Sequence, residues 1–232
     1  MPLQKNDFVE VEFTAKTEDG NVFDSNIAEE LKKLNPEAVA EPFVFALGQG
    51  MFLKGVDDFL LGKEIGKYNI EVSPENAFGI RSPELIRTMP MSAFRQHQIN
   101  PVRGAMFNFD GRVAKIISVS GGRVIADFNH PLAGKPVIYD INILRKLDDM
   151  NEKIKAFSNF LFRQDIPFEI TKEKIILQVE KQLLDFVKLF EEKFKDLFGL
   201  GLEVQEVVED ATKKEGMKEV GENKNDDRSS KD

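Results

Sequence analysis

The chain has no cysteine or tryptophan, and only two histidines and two tyrosines among its 232 residues. The absence of cysteine excludes disulfides, zinc–thiolate sites and cysteine nucleophiles. His97 and His130 lie far apart in the sequence with no acidic cluster at ligand spacing, so we expect no metal site and no cofactor. Aromatic burial must therefore depend on the 20 phenylalanines.

Long apolar runs are also missing. The sequence has no stretch of about 18 apolar residues that would span a bilayer, and it begins without the basic-then-apolar pattern of a secretory signal. We therefore expect a cytoplasmic protein with no membrane partner. The net charge of −8 does not favour general binding to nucleic acid.

The most informative stretch runs from Pro42 to Gly62. It breaks at Gly48 and Gly50, and its apolar residues recur at strand spacing before the break and at helical spacing after it: Phe43, Phe45, Leu47, then Phe52, Leu53, Val56, Phe59 and Leu60. A strand, a glycine turn and a short helix would form an apolar surface. The stretch has no residue pair to supply a nucleophile or base, so chemistry here must depend on burial and shape.

Four segments in this order carry a resemblance to a known family. They are Asp19–Ser25 (DGNVFDS), the pair Leu47-Gly48 followed by Lys54-Gly55, Ser73–Gly79 (SPENAFG) and Asn129–Leu147 (NHPLAGKPVIYDINILRKL). Together they resemble the FKBP-type peptidyl-prolyl cis-trans isomerases over roughly residues 5–86 and 129–148. The extra sequence between the last two segments is similar to the long, SlyD-like branch, of archaeal type with an additional C-terminal domain, which carries an insert-in-flap chaperone domain.

The resemblance implies an α+β fold, in which an antiparallel sheet wraps around a short helix, and an isomerase that acts on X-Pro bonds. It assigns catalytic roles to Phe23, Asp24, Phe43, Leu53 (through its backbone N–H) and Tyr139, and substrate contacts to Phe13, Phe52, Val56 and Phe78. By residue type alone, Asp24 beside Ser25 suits a turn or helix cap equally well.

The sequence departs from the family pattern at three pocket positions. Phe78 stands where the family usually has a tyrosine whose hydroxyl bonds the substrate carbonyl, and phenylalanine cannot make that bond. Phe13 also aligns with a frequent tyrosine, and Val56 with a tryptophan floor. We expect a more apolar, more open pocket that keeps isomerase activity. The alternative is a binding-only holdase chaperone with a vestigial cleft.

The inserted residues 87–128 predict a small all-β domain. Three alternating stretches are separated by Asp-Gly and Gly-Gly turns, and six Arg or Lys residues oppose two Asp residues. Flexible methionines beside phenylalanine suit binding of unfolded or partly folded proteins, through Met89, Met91, Phe94 and Met106. Two alternatives stay open: these residues fill the insert's own core, or the basic unit is a small nucleic-acid-binding barrel.

The remaining chain predicts three further divisions. The isomerase domain should comprise residues 1–86 and 129–149, followed by an α+β domain at 150–210 and a disordered charged tail at 211–232. Within the α+β domain we expect a helix at 150–163, an alternating or mixed apolar stretch within 166–179, and a last strand at 202–208. An apolar stripe recurs at helical spacing: Leu183, Val187, Phe190, Phe194 and Leu197. The stripe either forms local core or pairs two copies in a homodimer.

Overall fold

A computed structural model describes residues 1–207, which divide into one compact unit, Met1–Phe160, and a second that begins at Leu161. The fold is α+β. The expected tail at 211–232 and the end of the predicted strand at 202–208 lie outside the described residues. Among the residues that are described, no helix has both the length and the apolar character to cross a membrane.

The first unit contains a five-stranded antiparallel sheet. At its centre β1 (Phe8–Thr17) pairs with β9 (Val137–Lys146) along its length. The other side of β1 pairs with β3 (Phe43–Ala46) near its start and with β2 (Val22–Ser25) near its end, and β4 (Lys67–Val72) pairs with β9. Strands distant in sequence thereby bring Phe13, Phe43 and Tyr139 to one sheet.

Two helices belong to this part of the fold. The exposed helix α1 (Ala28–Leu34) ends before Pro36 and connects β2 to β3. The short helix α2 (Lys54–Leu60) follows the glycine turn and buries Val56, Asp57 and Leu60. A Cβ atom at Gly55 would lie 2.3 Å from Cγ1 of Val72 on β4, so only glycine allows α2 to pack this closely against the sheet.

The insert forms a second, four-stranded sheet in the order β5-β8-β7-β6. Its strands are β5 (Ile86–Pro90), β6 (Met106–Phe109), β7 (Arg112–Ser120) and β8 (Arg123–Asp127). The short helix α3 (Met91–Gln96) lies between β5 and β6. The sequence predicted three strands and no helix. It missed β5 and α3 because the polar residues and Pro90 in this segment obscure any regular apolar period.

The second unit contains a three-stranded sheet of β10 (Phe168–Ile170), β11 (Lys174–Val179) and β12 (Gly201–Glu206). β10 pairs with β11 in antiparallel fashion, whereas β12 pairs with β11 in parallel. A parallel pair needs a crossover connection, which contains α5 (Leu184–Lys188) and α6 (Glu191–Phe198). The preceding helix α4 (Met150–Phe162) spans the boundary between the units.

The apolar stripe of the second unit does not lie on one helix: Leu183 ends a 3₁₀ turn, Val187 is on α5, Phe190 lies between the helices, and Phe194 and Leu197 are on α6. Val187 and Phe194 are both fully buried within the chain. Phe194 therefore serves as local core, which is the first of the two alternatives for the stripe. Pairing of two copies remains a prediction, and it would have to use exposed residues such as Leu189, which is 76% exposed.

Candidate functional site

A cluster of aromatic rings lies between the first sheet and α2. Phe52, in the glycine turn before α2, is at its centre: its ring centroid lies 5.2 Å from Phe13, 5.1 Å from Phe43 and 5.4 Å from Tyr139. These separations are typical of favourable offset and edge-to-face ring pairs. Four residues from four different segments thus form one aromatic site.

Two more rings extend the cluster toward the insert. Phe23 lies 6.2 Å from Tyr139 and 5.8 Å from Phe78, both in edge-to-face geometry. The structure therefore brings together all the aromatic residues of the isomerase domain that the sequence suggested for the site.

The two non-aromatic positions lie at the start of α2. Val56 is fully buried. Leu53 caps the helix, and its carbonyl accepts the backbone N–H groups of Val56 and Asp57 at 3.0 Å. Its own N–H has no hydrogen-bond partner within the described chain. A substrate carbonyl in the cleft would supply one.

The polar groups of the site are Tyr139 and Asp24. Tyr139 is only 2% exposed, and burial, together with the charge of Asp24, raises the pKa of its phenol. Burial also raises the pKa of Asp24, against the opposing effect of the Ser25 backbone N–H. The phenol of Tyr139 therefore stays protonated at neutral pH and can donate a hydrogen bond. Within residues 1–207, no three acidic or histidine side chains assemble as metal ligands.

Asp57 is a residue of this region that the sequence analysis missed. Its side chain is buried beside the glycine turn, and burial raises its pKa to about 6, although the backbone amides of Gly48 and Gly50 act in the opposite direction. Its Oδ1 atom has no hydrogen-bond partner in the described chain. Helical spacing could have revealed it, because Asp57 falls on the same face as Leu53 and Leu60.

A polar joint connects the isomerase domain to the insert. Asn129 accepts a hydrogen bond from the Ser82 backbone N–H at 2.8 Å and donates one to the Ser82 carbonyl at 3.0 Å. Asp127 pairs with Arg81 at 2.5 Å and accepts two hydrogen bonds from Asn129. Burial alone would raise the pKa of Asp127. The hydrogen bonds with Asn129 and Arg81 outweigh burial and hold this pKa below its ordinary value. The joint therefore contains an ionised carboxylate.

A groove of about 620 Å³ lies beside this joint. It is lined on one side by insert residues, including Met106 and Val113, and on the other by residues of the returning segment, including His130 and Pro131. Met106 and Val113 are 56% and 50% exposed. The groove thus combines accessible apolar side chains with the basic groups of Arg81, Lys115 and Lys135.

The four insert residues suggested as substrate contacts lie in different environments. Met106 faces the groove, whereas Met89 and Met91 are half-buried against the insert's core. Phe94 is only 2% exposed, because α3 directs it onto the core residues of the sheet. Phe94 therefore fills the insert's own core and is not accessible as a substrate contact. Met106 remains a candidate substrate contact.

Two protein-family models match parts of the first unit. Residues 2–95 match the model of the FKBP-type peptidyl-prolyl cis-trans isomerases. Residues 87–132 match the model described as the FKBP26 IF domain.

Individual relatives show the same relationship. The chain is 34% identical over 145 residues to the short-type peptidyl-prolyl cis-trans isomerase of Methanocaldococcus jannaschii, covering 61% of this chain and 92% of that protein. It is 33% identical to the FKBP-type 16 kDa isomerase of Escherichia coli, with the same coverage. It is 26% identical to SlyD of Haemophilus influenzae, covering 66% of this chain and 77% of SlyD. The chain therefore belongs to the FKBP-type peptidyl-prolyl cis-trans isomerases.

Proposed function

We propose that the enzyme isomerises X-Pro bonds in the aromatic cleft without general acid–base catalysis. The observation that carries this proposal is the convergence of six rings from distant segments, one of which, Tyr139, lies close enough to Asp24 to respond to its charge. Such a cleft can enclose a proline ring through apolar contact alone. No proton needs to move, because isomerisation only twists the amide.

The chemical task is to lower a rotational barrier of about 20 kcal/mol, which arises because twisting the amide destroys its resonance. The twisted amide has less charge separation than the planar one. A cleft that removes solvent from the peptide therefore favours the twisted state relative to the planar state. The buried surfaces of Phe13 and Tyr139 and the half-buried ring of Phe52 supply this apolar environment.

Three polar groups would orient the substrate. The free N–H of Leu53 would donate to a substrate carbonyl, and the phenol of Tyr139 is a second donor. Asp24 would act through its charge on the twisted carbonyl carbon. The raised pKa of Tyr139 and its burial both fit a positioning role rather than proton exchange.

Turnover of a proline-containing tetrapeptide tests this assignment. Tyr139→Phe keeps the ring and removes only the hydroxyl, so we expect kcat/KM to fall by about three- to tenfold, the effect of one lost hydrogen bond. Tyr139→Ala is less informative, because removing a buried ring costs about 3–5 kcal/mol of stability. Asp24→Asn should reduce activity with little change in the pH profile near neutrality. A steep pH dependence there would contradict the base-free mechanism.

We further infer that the insert binds unfolded or partly folded proteins and delivers their prolines to the cleft. The groove between Met106 and Pro131 supports this second function, since it adjoins the segment that carries Phe78. Clients held there would reach the cleft at an effective concentration on the order of millimolar, as expected for a short tether. Isomerisation of folding proteins should then exceed what the cleft alone achieves.

Replacing Thr88–Asp127 by a short glycine-containing turn tests the second function. Tetrapeptide turnover should change only a few-fold, because the cleft residues precede or follow the deletion. Proline-limited refolding of a protein substrate and suppression of aggregation should both fall strongly. Equal losses for peptide and protein would refute the role of the insert. If the parent binds unfolded protein but turns over no peptide, the protein is a holdase with a vestigial cleft.

A further inference from the structure

The rim of the cleft contains a histidine that stacks on Phe78. The His130 ring lies parallel to the Phe78 ring, with an interplanar angle of 4° and centroids 4.5 Å apart. Phe78 in turn contacts Phe23, which contacts Tyr139. His130 therefore extends the series of rings from the cleft toward the groove that it also lines.

Backbone and side-chain bonds hold His130 in this position. The reciprocal hydrogen bonds between Asn129 and Ser82 fix the residue immediately before it, and Gly134 donates to the carbonyl of Gly79 at 2.8 Å. These bonds join the segment that follows Phe78 to residues on both sides of His130 in the sequence. The stacking is a consequence of the fold rather than of one flexible contact.

One nitrogen of His130 is already occupied. The backbone N–H of Leu132 donates to Nδ1 at 3.2 Å. Because Nδ1 accepts this bond, the neutral ring carries its proton on Nε2, which is then a donor. The side chain is exposed, and no residue of the described chain accepts a bond from Nε2.

We propose that Nε2–H of His130 donates to a backbone carbonyl of the substrate beside the proline, supplying the donor that the side chain at position 78 lacks. This inference depends on the proposed function of the cleft. Phe78 offers only an apolar face to the peptide, and His130, stacked on it, adds the polar group. The pair would then perform the task of one tyrosine.

Four variants in the tetrapeptide assay test the proposal: His130→Phe, His130→Gln, Phe78→Tyr and the double variant His130→Phe/Phe78→Tyr. His130→Phe keeps a stacking ring without a donor, so kcat/KM should fall by about three- to tenfold. His130→Gln keeps a donor and should retain more activity than His130→Phe. Phe78→Tyr supplies the missing hydroxyl donor, so it should restore the His130→Phe enzyme to within about twofold of the parent.

Two results would overturn the proposal. One is full activity of His130→Phe. The other is a loss that neither the glutamine variant nor Phe78→Tyr relieves, which would mean that His130 only packs against Phe78. Melting temperatures of all variants show whether the fold is retained. The parent and Tyr139→Phe, assayed in parallel, report on the cleft itself, so a failure of the proposed function would be recognised separately.

Discussion

The cleft and the insert both contain many apolar side chains, but the cleft packs them against one another whereas the insert leaves some of them exposed. In the cleft, aromatic side chains from β1, β3, β9 and the turn before α2 contact one another at ring-centroid distances of 5.1–5.9 Å. The insert buries its own small core around Phe94 and Ile116, but leaves Met106 and Val113 about half exposed beside basic groups. One region is preorganised, and the other presents an accessible apolar surface.

This difference would suit the two proposed functions. A set of rings fixed by mutual contact can recognise one compact shape, such as a proline ring, at little entropic cost on binding. An exposed methionine has several accessible rotamers and can adapt to varied apolar segments. Changes in the cleft should therefore affect every substrate, whereas changes in the groove should affect only substrates long enough to reach it.

The largest effect is expected from Phe52→Ala, because Phe52 contacts four other rings of the site. Tetrapeptide kcat/KM should fall on the order of 100-fold, which corresponds to about 3 kcal/mol. Phe59→Ala is the matched control: this ring lies on α2 but contacts Tyr68, outside the cleft. Similar losses for both variants would mean that general stability, and not the cleft, controls activity.

A smaller and more selective effect is expected from Met106→Glu in the groove. Refolding of a proline-limited protein should slow by about tenfold, since a charge replaces an apolar contact, while tetrapeptide turnover stays unchanged. Val102→Glu is the control, because Val102 is 55% exposed on the insert but does not line the groove. Equal effects of the two substitutions would show that the groove has no special role in client binding.

The sequence was most informative where local patterns and family resemblance agreed. The apolar residues at strand spacing before the glycine turn and at helical spacing after it predicted β3 and α2, two of the elements that form the cleft. The environment of His130 could not be predicted, since its stacking on Phe78 joins residues distant in sequence. The burial of Phe94 could not be predicted for the same reason. Composition identifies an apolar residue but not the side of the sheet on which α3 places it.

Asp57 makes the stability of the region around the cleft depend on pH. Its pKa of about 6 in the folded protein exceeds the ordinary value of 3.8, so the unfolded chain ionises first as pH rises. Stability is therefore lost between about pH 4 and pH 6, by up to roughly 2–3 kcal/mol, and the loss is constant above that window. Asp57→Asn should remove this pH-dependent loss of stability.

Chemical denaturation of the parent and Asp57→Asn from pH 4 to pH 7 measures this effect. The free energy of unfolding of the variant, relative to the parent, should increase up to about pH 6 and then level off. Asp127 and Asp140 have lowered pKa values and give the opposite trend, but they are present in both proteins and cancel in the comparison. Parallel stability curves would show that Asp57 is not desolvated in the folded protein.

The smallest effect on activity is expected from removal of α4 together with the second unit. Every residue assigned to the cleft or the groove precedes Asp149, so truncation there should keep tetrapeptide turnover within about twofold of the full chain. It should still lower the melting temperature, because Arg145 loses its two hydrogen bonds to Glu152 and the chain loses the buried residues Ile154 and Phe157. Truncation after Arg163 retains α4 and is the matched control.

The same truncations also test pairing of two copies. Because Phe194 is fully buried, a homodimer through the second unit would require an exposed residue such as Leu189. If that pairing occurs, the full chain should sediment as a dimer and both truncated chains as monomers, and Leu189→Asp should convert the full chain to a monomer. Monomeric sedimentation of all forms would eliminate the homodimer. It would leave Val187 and Phe194 with one role, as local core of the second unit.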